Sequence, residues 1–409
     1  VRFIRLQWLD YTNMLRCRII TREFTRQLDL CHPVGAELLT LLQDENGDVL
    51  HDLAGAVGES PLIPDWNSLR LCPWAPEHAS VQCFFGKYNS GPEQQDQEHL
   101  SIDEMCPRSA LRRAIVRAKK LGLRMNIRFE IEFCVSGRNE DGSPLGRPQV
   151  PHSASSINTL ENFMLPIMDE IVTCLEDAGV SVLEYHTGDH KGQYKITTED
   201  REPLIAADTL IFTRQAIRNV CKKHSLAVTF YPSWPPNGVH INLSLLDSGP
   251  EESFLAGMLE HLRAVFAFGL PLPESYSRVL ASRRRFGRSE AWGSNNREVP
   301  IRRTSQTSWQ LRFMDASANI YLVLAAIIIS GTAGVKEKMT LTVKDCRVDP
   351  ETLSAEDRMG LGISHRLPSK LKKAQLYLTK DRVLNNALGS GLVTNYLRVT
   401  TRFALILNR

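Results

Sequence analysis

The run Arg128-Phe129-Glu130-Ile131-Glu132-Phe133 alternates apolar and charged residues. An alternation with a period of two is typical of a β-strand, and it puts Glu130 and Glu132 on the same face of that strand. Two neighbouring carboxylates repel each other unless a positive group lies between them. The pattern therefore predicts a divalent cation or an arginine beside the two glutamates.

Three later parts of the chain carry polar side chains that fit such a site: 237–245 (NGVHINLSL), Asn296-Arg297 with Arg302, and 309–313 (WQLRF). The first of them alternates like a second strand and carries His240, and the last carries Arg312. Carboxylates, an imidazole and guanidiniums on neighbouring strands are typical of sites that handle magnesium-bound phosphates and carboxylates.

In this order the segments resemble the glutamine synthetase family, and the resemblance covers nearly the whole chain. Residues 5–18 resemble the opening strand pair of the family, and 64–74 resemble the end of its small N-terminal domain. Residues 318–322 (ANIYL) resemble the start of a helix in the family, and 366–369 with 387–389 resemble its C-terminal helices. The ordered set is far more specific than any one motif.

The resemblance implies an α+β fold with two domains. A small β-rich, β-grasp-like domain is expected at residues 1–75, and a catalytic domain with a curved antiparallel sheet flanked by helices at 76–409. Two successive strands near 297–313 also favour an antiparallel sheet. Apolar spacing predicts helices at four places: 108–120, ended by Gly122, then 155–178, 206–224 and 250–268.

The resemblance also implies a reaction. In glutamine synthetases two divalent cations, Mg²⁺ or Mn²⁺, bridge the phosphates of ATP and the transferring phosphoryl group. The enzyme forms γ-glutamyl phosphate, which ammonia then attacks. Metals and arginines are needed because a crowded polyanion must be neutralised in line with the attacking carboxylate. We therefore expect ATP-dependent ligation of an amine to an amino-acid-like carboxylate.

The matching positions carry the family's roles over to eight residues of this chain. They are the metal ligands Glu130, Glu132 and His240, the substrate-binding residues Arg278, Arg312 and Gly238, and Arg297 and Arg302, which face the phosphates of ATP and take part in catalysis. Arg297, Arg302 and Arg312 could instead form ion pairs with the two glutamates, and Lys195 could fill that role as well.

Several positions depart from the family pattern. Two glutamate ligands of the first metal fall at Gly188, beside Asp189, and at Lys195; a glutamate ligand of the second metal is Gln310; the second histidine of an H-x-H strand is Asn242; and a lysine-proline pair is Ser233-Trp234. A unit charge at about 4 Å is worth roughly 4 kcal/mol at an effective dielectric constant of ~20. The site has thus lost most of its attraction for two dications, and one Mg²⁺ bound with ATP is easier to accommodate.

These departures leave three functions open. The first is a ligase that acts on glutamate and ammonia or on another acid and a larger amine. The second is a catalytically impaired family member with a scaffold or regulatory role, which could tolerate Lys195. The third is a phosphotransferase on the same fold. His186 and Glu290 have no role in any of these and are expected in solvated loops.

Composition bounds the remaining questions. A net charge of +3 over 409 residues is too small to indicate nucleic acid as a partner. Arg283-Arg284-Arg285 is expected in a solvated loop, although its position near the substrate motifs leaves phosphate binding open. The 9 cysteines include no C-x-x-C pair, which indicates reduced thiols in the cytoplasm. The longest apolar run, 320–329, is too short for a membrane span. The chain begins with Val1, so residues could precede it, and the family resemblance implies a homo-oligomeric ring.

Overall fold

Two β-sheets and thirteen α-helices make up the part of the chain that the structure describes. The structure is a computed structural model, and it describes residues 1–28, 35–41, 59–88, 100–137, 153–161, 163–232, 237–281 and 288–407. The predicted α+β class is confirmed, with helices packed against sheets of mixed strand direction.

The first sheet has seven strands, which are β1 Phe3–Leu9, β2 Leu15–Thr21, β3 Gly35–Glu37, β4 Glu59–Pro64, β5 Arg70–Leu71, β6 His78–Tyr88 and β7 Leu100–Ile102. Their order is β2-β1-β6-β4-β3, and β5 and β7 also pair with β6. Only β1 and β6 pair in parallel among these strands. The predicted boundary at residue 75 stays a prediction, although strands of this sheet continue to Ile102.

The second sheet has eight strands, which are β8 Met125–Gly137, β9 Val182–Thr187, β10 Gln193–Thr198, β11 Leu226–Thr229, β12 Val239–Leu245, β13 Trp292–Ser294, β14 Ile301–Ser305 and β15 Ser308–Leu311. Their order is β13-β14-β15-β12-β8-β10-β9, and β11 pairs with the end of β8. All of these pairs are antiparallel except β13 with β14. The predicted antiparallel sheet is therefore present with one parallel edge.

The central strand β8 separates an apolar face from a polar one. Its buried side chains recur at every second residue from Met125 to Phe133, whereas Glu130 and Glu132 point to the opposite face. This is the alternation that the sequence predicts. The register then puts His240 of β12 directly beside Glu130, and Lys195 of β10 directly beside Glu132.

The helices are α1 Arg22–Leu28, α2 Pro107–Lys120, α3 Ile157–Glu161, α4 Leu165–Asp177, α5 Pro203–Lys223, α6 Glu251–Glu260, α7 Leu262–Gly269, α8 Pro273–Ala281, α9 Ile320–Lys336, α10 Ala355–Gly360, α11 Leu371–Lys380, α12 Arg382–Leu388 and α13 Ser390–Leu407. The predicted helix at 155–178 is two helices, because Pro166 cannot donate the N–H that would continue the first one. The predicted helix at 250–268 is also two, which meet at His261.

Helix α9 forms the centre of the apolar core. Asn319 caps its first turn, because the side-chain oxygen accepts hydrogen bonds from the backbone N–H groups of Tyr321 and Leu322. Nearly every residue of α9 up to Thr332 is buried, so the apolar run of the sequence packs inside the protein. Among the described residues, we find no helix that is long and apolar enough to cross a lipid bilayer.

A buried arginine links the end of strand β4 to helices α2 and α5. The Nη2 group of Arg108 on α2 donates to Asp65, which follows β4, at 2.7 Å and to Asp208 of α5 at 2.7 Å. The hydroxyl of Tyr321 also donates to Asp208, at 2.7 Å. Arg108 is only 3% exposed, so its charge and N–H groups need partners inside the protein, and the two carboxylates supply them.

Candidate active site

A polar cavity of about 380 Å³ lies on the charged face of the second sheet. Six of the residues predicted for the site line it, namely Glu130, Glu132, His240, Arg297, Arg302 and Arg312. Lys195 and Gln310, which depart from the family pattern, also line it. The other lining residues are Ala154, Ser155, Glu184, His186 and Asp189. The structure therefore brings most of the predicted residues together, while their individual roles stay predictions.

The other predicted residues are placed differently. The backbone N–H of Gly238 donates to Glu132 Oε2 at 2.7 Å, so this glycine holds a carboxylate of the site in position. Arg278 lies on α8, and its side chain is outside the described residues. Ser233-Trp234 and Arg283–Arg285 are also outside them.

Glu130 is held by four hydrogen-bond donors. Its Oε2 lies 3.0 Å from His240 Nδ1 and 3.4 Å from Lys195 Nζ. Its Oε1 accepts from Asn242 Nδ2 at 3.0 Å and from Gln310 Nε2 at 2.5 Å. A carboxylate offers about four lone-pair positions. A further ligand of Glu130 must therefore displace one of these partners.

The hydrogen bonds around Glu130 fix its charge state. Burial by itself would raise the pKa of this carboxyl, but the hydrogen bond from His240, the charge of Lys195 and the hydrogen bond from Asn242 lower the pKa far below its ordinary value. Burial lowers the pKa of His240, which is 8% exposed, so its imidazole is neutral at pH 7. With Glu130 ionised, the proton of that imidazole belongs on Nδ1.

Lys195 lies between the two glutamates of β8. Its Nζ atom is 3.4 Å from Glu130 Oε2 and 3.4 Å from Glu132 Oε1. The side chain is 16% exposed, and the two carboxylates are 18% and 12% exposed. One positive charge thus bridges two negative ones in a partly dehydrated setting, where solvent screens the attraction weakly.

Gln310 connects the carboxylates to the guanidiniums. Its amide nitrogen donates to Glu130, and its Oε1 accepts from Arg312 Nη1 at 2.8 Å and from Arg302 Nη1 at 3.4 Å. This orientation of the amide is the one that both neighbours require, because guanidiniums only donate and carboxylates only accept. Within the described chain, the Nε groups of Arg302 and Arg312 are buried without a hydrogen-bond partner.

Gly188, at a position where the family resemblance places a glutamate ligand, has little room for a side chain. A Cβ atom there would lie 2.7 Å from Cγ and 2.7 Å from Oε1 of Gln193. Gln193 is itself held, because its Nε2 donates to Asn237 and its Oε1 accepts from the backbone of His190. No carboxylate can occupy position 188 unless Gln193 moves, and Asp189 is the nearby acid that lines the cavity.

Two residues that the sequence places in solvated loops have other surroundings. His186 lies on strand β9 and lines the cavity, and Glu184 of the same strand lines it too and accepts from Thr197 at 3.2 Å. The two side chains share this face because they are two residues apart on one strand. Glu290 is 7% exposed and lies 3.0 Å from Arg263, so it belongs to a buried pair away from the cavity.

Comparisons with known proteins agree with this arrangement. A profile described as "Glutamine synthetase, catalytic domain" matches residues 104–402. The chain belongs to the glutamine synthetase family. It is 32% identical to protein fluG of Emericella nidulans over 409 residues, which is 98% of this chain but only 46% of fluG. The chain therefore spans less than half the length of that relative.

Other relatives of this glutamine synthetase family member are named for several amines. It is 32% identical to a glutamate–isopropylamine ligase of a Pseudomonas species, over 68% of this chain and 64% of that protein. It is 29% identical to a gamma-glutamylpolyamine synthetase of Streptomyces coelicolor, over 72% and 68%. A solved structure described as a GmaS/ADP complex superposes with a TM-score of 0.83 at 21% identity, over 100% of this chain and 94% of the other, which supports the fold.

Glutamine synthetases are ATP-dependent carbon–nitrogen ligases that generally use divalent metals. The residues of this family member do not fit a pair of resident metal ions. The four carboxylates that line the cavity face four cationic side chains, Lys195, Arg297, Arg302 and Arg312. Among the described residues, no group of three or more His, Cys, Asp or Glu side chains is arranged to hold a metal.

Proposed function

We propose that this chain is an ATP-dependent ligase that joins the carboxylate of an amino-acid-like substrate to an amine through an acyl phosphate. The observation that carries the proposal is the convergence of Arg297, Arg302 and Arg312 on one cavity. Two of these guanidiniums, those of Arg302 and Arg312, are held together by the single side-chain oxygen of Gln310. Planar, bidentate donors suit both carboxylates and phosphates.

The three arginines would divide the work by position. Arg312 lies beside the glutamates at the end of β15 and would hold the substrate carboxylate. Arg302 on β14 and Arg297 before it would hold the phosphates of ATP, which enters as its magnesium complex. Fixed guanidiniums stabilise the charge that develops on a transferring phosphoryl group, because they are oriented before the reaction begins.

The amine is the least determined substrate. Glutamate and ammonia are the default pair for the family, but relatives of similar identity are named for isopropylamine and for polyamines. We therefore propose a glutamate-like acid with ammonia or a larger amine.

Two properties of the assembly belong to the same proposal. The chain would form a homo-oligomeric ring, and it would act in the cytoplasm, which suits the eight free thiols among the described residues.

A second candidate function is a catalytically impaired scaffold or regulator. It is favoured by the ion pairs of Lys195 with Glu130 and Glu132, which fill the place where a ligase of this family needs carboxylates free for metal. Such a protein would keep the guanidinium cluster and could still bind nucleotide or an anionic amino acid. The two candidates differ in turnover rather than in binding.

A phosphate-release assay with ATP, Mg²⁺ and a panel of acids and amines tests the proposal. The matched variants are Arg302→Met and Arg303→Met, because neighbouring residues of β14 point to opposite faces of the sheet. Arg303 donates to the backbone oxygens of Ser305 and Gln306 and does not line the cavity. We expect release that depends on both acid and amine, at least about tenfold lower in the Arg302 variant only.

The same assay identifies the scaffold. ADP binding by calorimetry that Arg302→Met weakens, together with no phosphate release for any acid and amine, would support the second candidate. Sedimentation velocity of the full chain tests the ring. A single monomeric species at assay concentration would contradict that part of the proposal.

A further inference from the structure

The pairing of β10 with β8 places the ammonium group of Lys195 between Glu130 and Glu132. Lys195 lies directly opposite Glu132 in the pairing of β10 with β8, and Thr197 lies opposite Glu130. The lysine side chain therefore rises between the two acids, and its Nζ is equidistant from them at 3.4 Å. Lysine usually extends its ammonium group into water. Here the side chain is 16% exposed and ends between two carboxylates.

A metal ion cannot enter this place while Lys195 is there. The lone pairs of Glu130 are taken by Lys195, His240, Asn242 and Gln310. One oxygen of Glu132 accepts from the backbone of Gly238 at 2.7 Å. A dication between the glutamates would also meet the ammonium group at close range, and the repulsion would act through a partly dehydrated site.

Positions 310 and 188, where the family resemblance places two further glutamate ligands, offer no carboxylate in their place. Gln310 turns its nitrogen, which cannot bind a cation, toward Glu130 and gives its oxygen to the two arginines. Position 188 carries no side chain, and Gln193 fills the space beside it. Lys195 thus contacts both carboxylates of β8, and this cation is covalently part of the chain.

We propose that Lys195 is a tethered cation that stands in for a resident metal ion between Glu130 and Glu132. It is a positioning residue for both carboxylates. An ammonium group has three N–H donors, and two of them face the glutamates. The third is left for an anionic ligand in the cavity that Lys195 lines. The nature of that ligand, a phosphate or an acyl phosphate, rests on the proposed function, whereas the displacement of the metal does not.

The test is a titration with Mn²⁺ alone, in which electron paramagnetic resonance measures free Mn²⁺ over the full chain without nucleotide or amino acid. The native protein and Glu132→Gln should bind Mn²⁺ equally weakly. Lys195→Glu should gain a site with an association constant at least about tenfold higher, because the variant removes the cation and adds a ligand. Lys195→Met should gain less.

Lys191→Glu is the matched control. Lys191 lies in the turn between β9 and β10, is exposed and does not line the cavity, so the same change of charge should create no site. Thermal melting of each variant verifies that it is folded. If Lys195→Glu does not fold, the comparison of native protein with Glu132→Gln still decides the question.

Two results would overturn the inference. One is a native protein that binds Mn²⁺ at a site that Glu132→Gln removes. The other is a folded Lys195→Glu variant that gains no more affinity than Lys191→Glu. Neither result depends on turnover. A protein that releases no phosphate but gains a Mn²⁺ site in Lys195→Glu would contradict the ligase and leave the tethered cation intact.

Discussion

Gly257 of α6 and Gly334 of α9 lie so close together that neither position has room for a side chain. A Cβ atom at 257 would lie 2.7 Å from the backbone nitrogen of Gly334, and one at 334 would lie 2.7 Å from that of Gly257. Backbone atoms of two packed helices cannot give way as a flexible side chain can. Helix α9, at the centre of the core, can therefore pack this closely against α6 only because both positions are glycine.

The first prediction concerns this contact. Gly257→Ala should lower the free energy of unfolding by about 1–3 kcal/mol, because the added methyl group overpacks the helix contact. Gly360→Ala is the control, since nothing lies within 4 Å of its Cβ position and its backbone is helical. That change should be neutral or stabilise by up to about 1 kcal/mol. Urea unfolding measures both, and equal effects would contradict the packing argument.

A second prediction concerns the charge of Glu130. Glu130→Gln should lower the free energy of unfolding by about 1–3 kcal/mol at pH 7, because Lys195 loses one of its two charged partners and the amide must also turn a donor toward other donors. Glu184→Gln, on the exposed rim of the same cavity, should cost less than about 0.5 kcal/mol. Urea unfolding of both variants beside the native protein makes the comparison.

The sign of the pH dependence follows from the lowered pKa of Glu130. A group whose pKa is lower in the folded state contributes stability above its unfolded pKa, near ~4.3 for glutamate, and loses that contribution as the pH falls further. The difference in the free energy of unfolding between native protein and Glu130→Gln should therefore be constant from about pH 5 to about pH 8. It should shrink below about pH 4. A difference that grows in acid would mean that Glu130 is not ionised in the fold.

Glu290 gives a third prediction, of opposite sign. Burial raises the pKa of Glu290 to about 7, although Arg263 opposes the shift. Since an unfolded glutamate has a pKa near ~4.3, the folded protein binds more protons between these values, and its stability falls as the pH rises through about 7. Glu290→Gln should remove this fall, which amounts to at most about 4 kcal/mol at roughly 1.4 kcal/mol per pKa unit.

Glu356→Gln is the control for Glu290, because Glu356 is an exposed glutamate in the first turn of α10. Denaturant unfolding at closely spaced pH values distinguishes the two variants. A native stability that stays flat across the neutral range would show that Arg263 keeps Glu290 ionised.

The fourth prediction separates the two candidate functions. A Lys195→Glu, Gln310→Glu double variant restores carboxylates at two positions where the family has ligands. We expect it to raise glutamine formation from glutamate, ATP and ammonia in the presence of Mg²⁺, at least about tenfold over the native protein. Each single change should do little, because residues that act on one transition state are not additive.

The control for this double variant is Lys191→Glu with Gln306→Glu, which makes the same changes of charge outside the cavity lining. Position 188 stays glycine because of Gln193. A native protein that already turns over glutamate and ammonia at an ordinary rate, about 10 per second, would sink the impaired alternative. It would also show that the site needs no restored carboxylate.

The strands of the site could be predicted because their residues alternate on one local period. Strands β8 and β12 have this property, and Glu130, Glu132 and His240 were placed correctly on a common face. The helix at 155–178 was predicted without its break, since its apolar spacing continues across Pro166. Local patterns give the elements and their faces, and they give the ends of elements less well.

The partners of each side chain are a different matter. The sequence indicates that Lys195 could neutralise the glutamates, but it does not indicate that Gln310 would turn its nitrogen to Glu130 and its oxygen to two arginines. That choice depends on the register of three strands. Glu290 was expected in solvent because nothing in its own neighbourhood of the sequence points to Arg263.

The arginine that links the first sheet to the helices also limits how this protein can be recombined with its relatives. Arg108 is held between Asp65 and Asp208, which are far apart in the sequence. A chimera that takes its first hundred or so residues from another family member must bring an acid to the position of Asp65. Otherwise the graft leaves a buried guanidinium with one partner. The first sheet can therefore be exchanged only if the new segment also carries an acid at the position of Asp65.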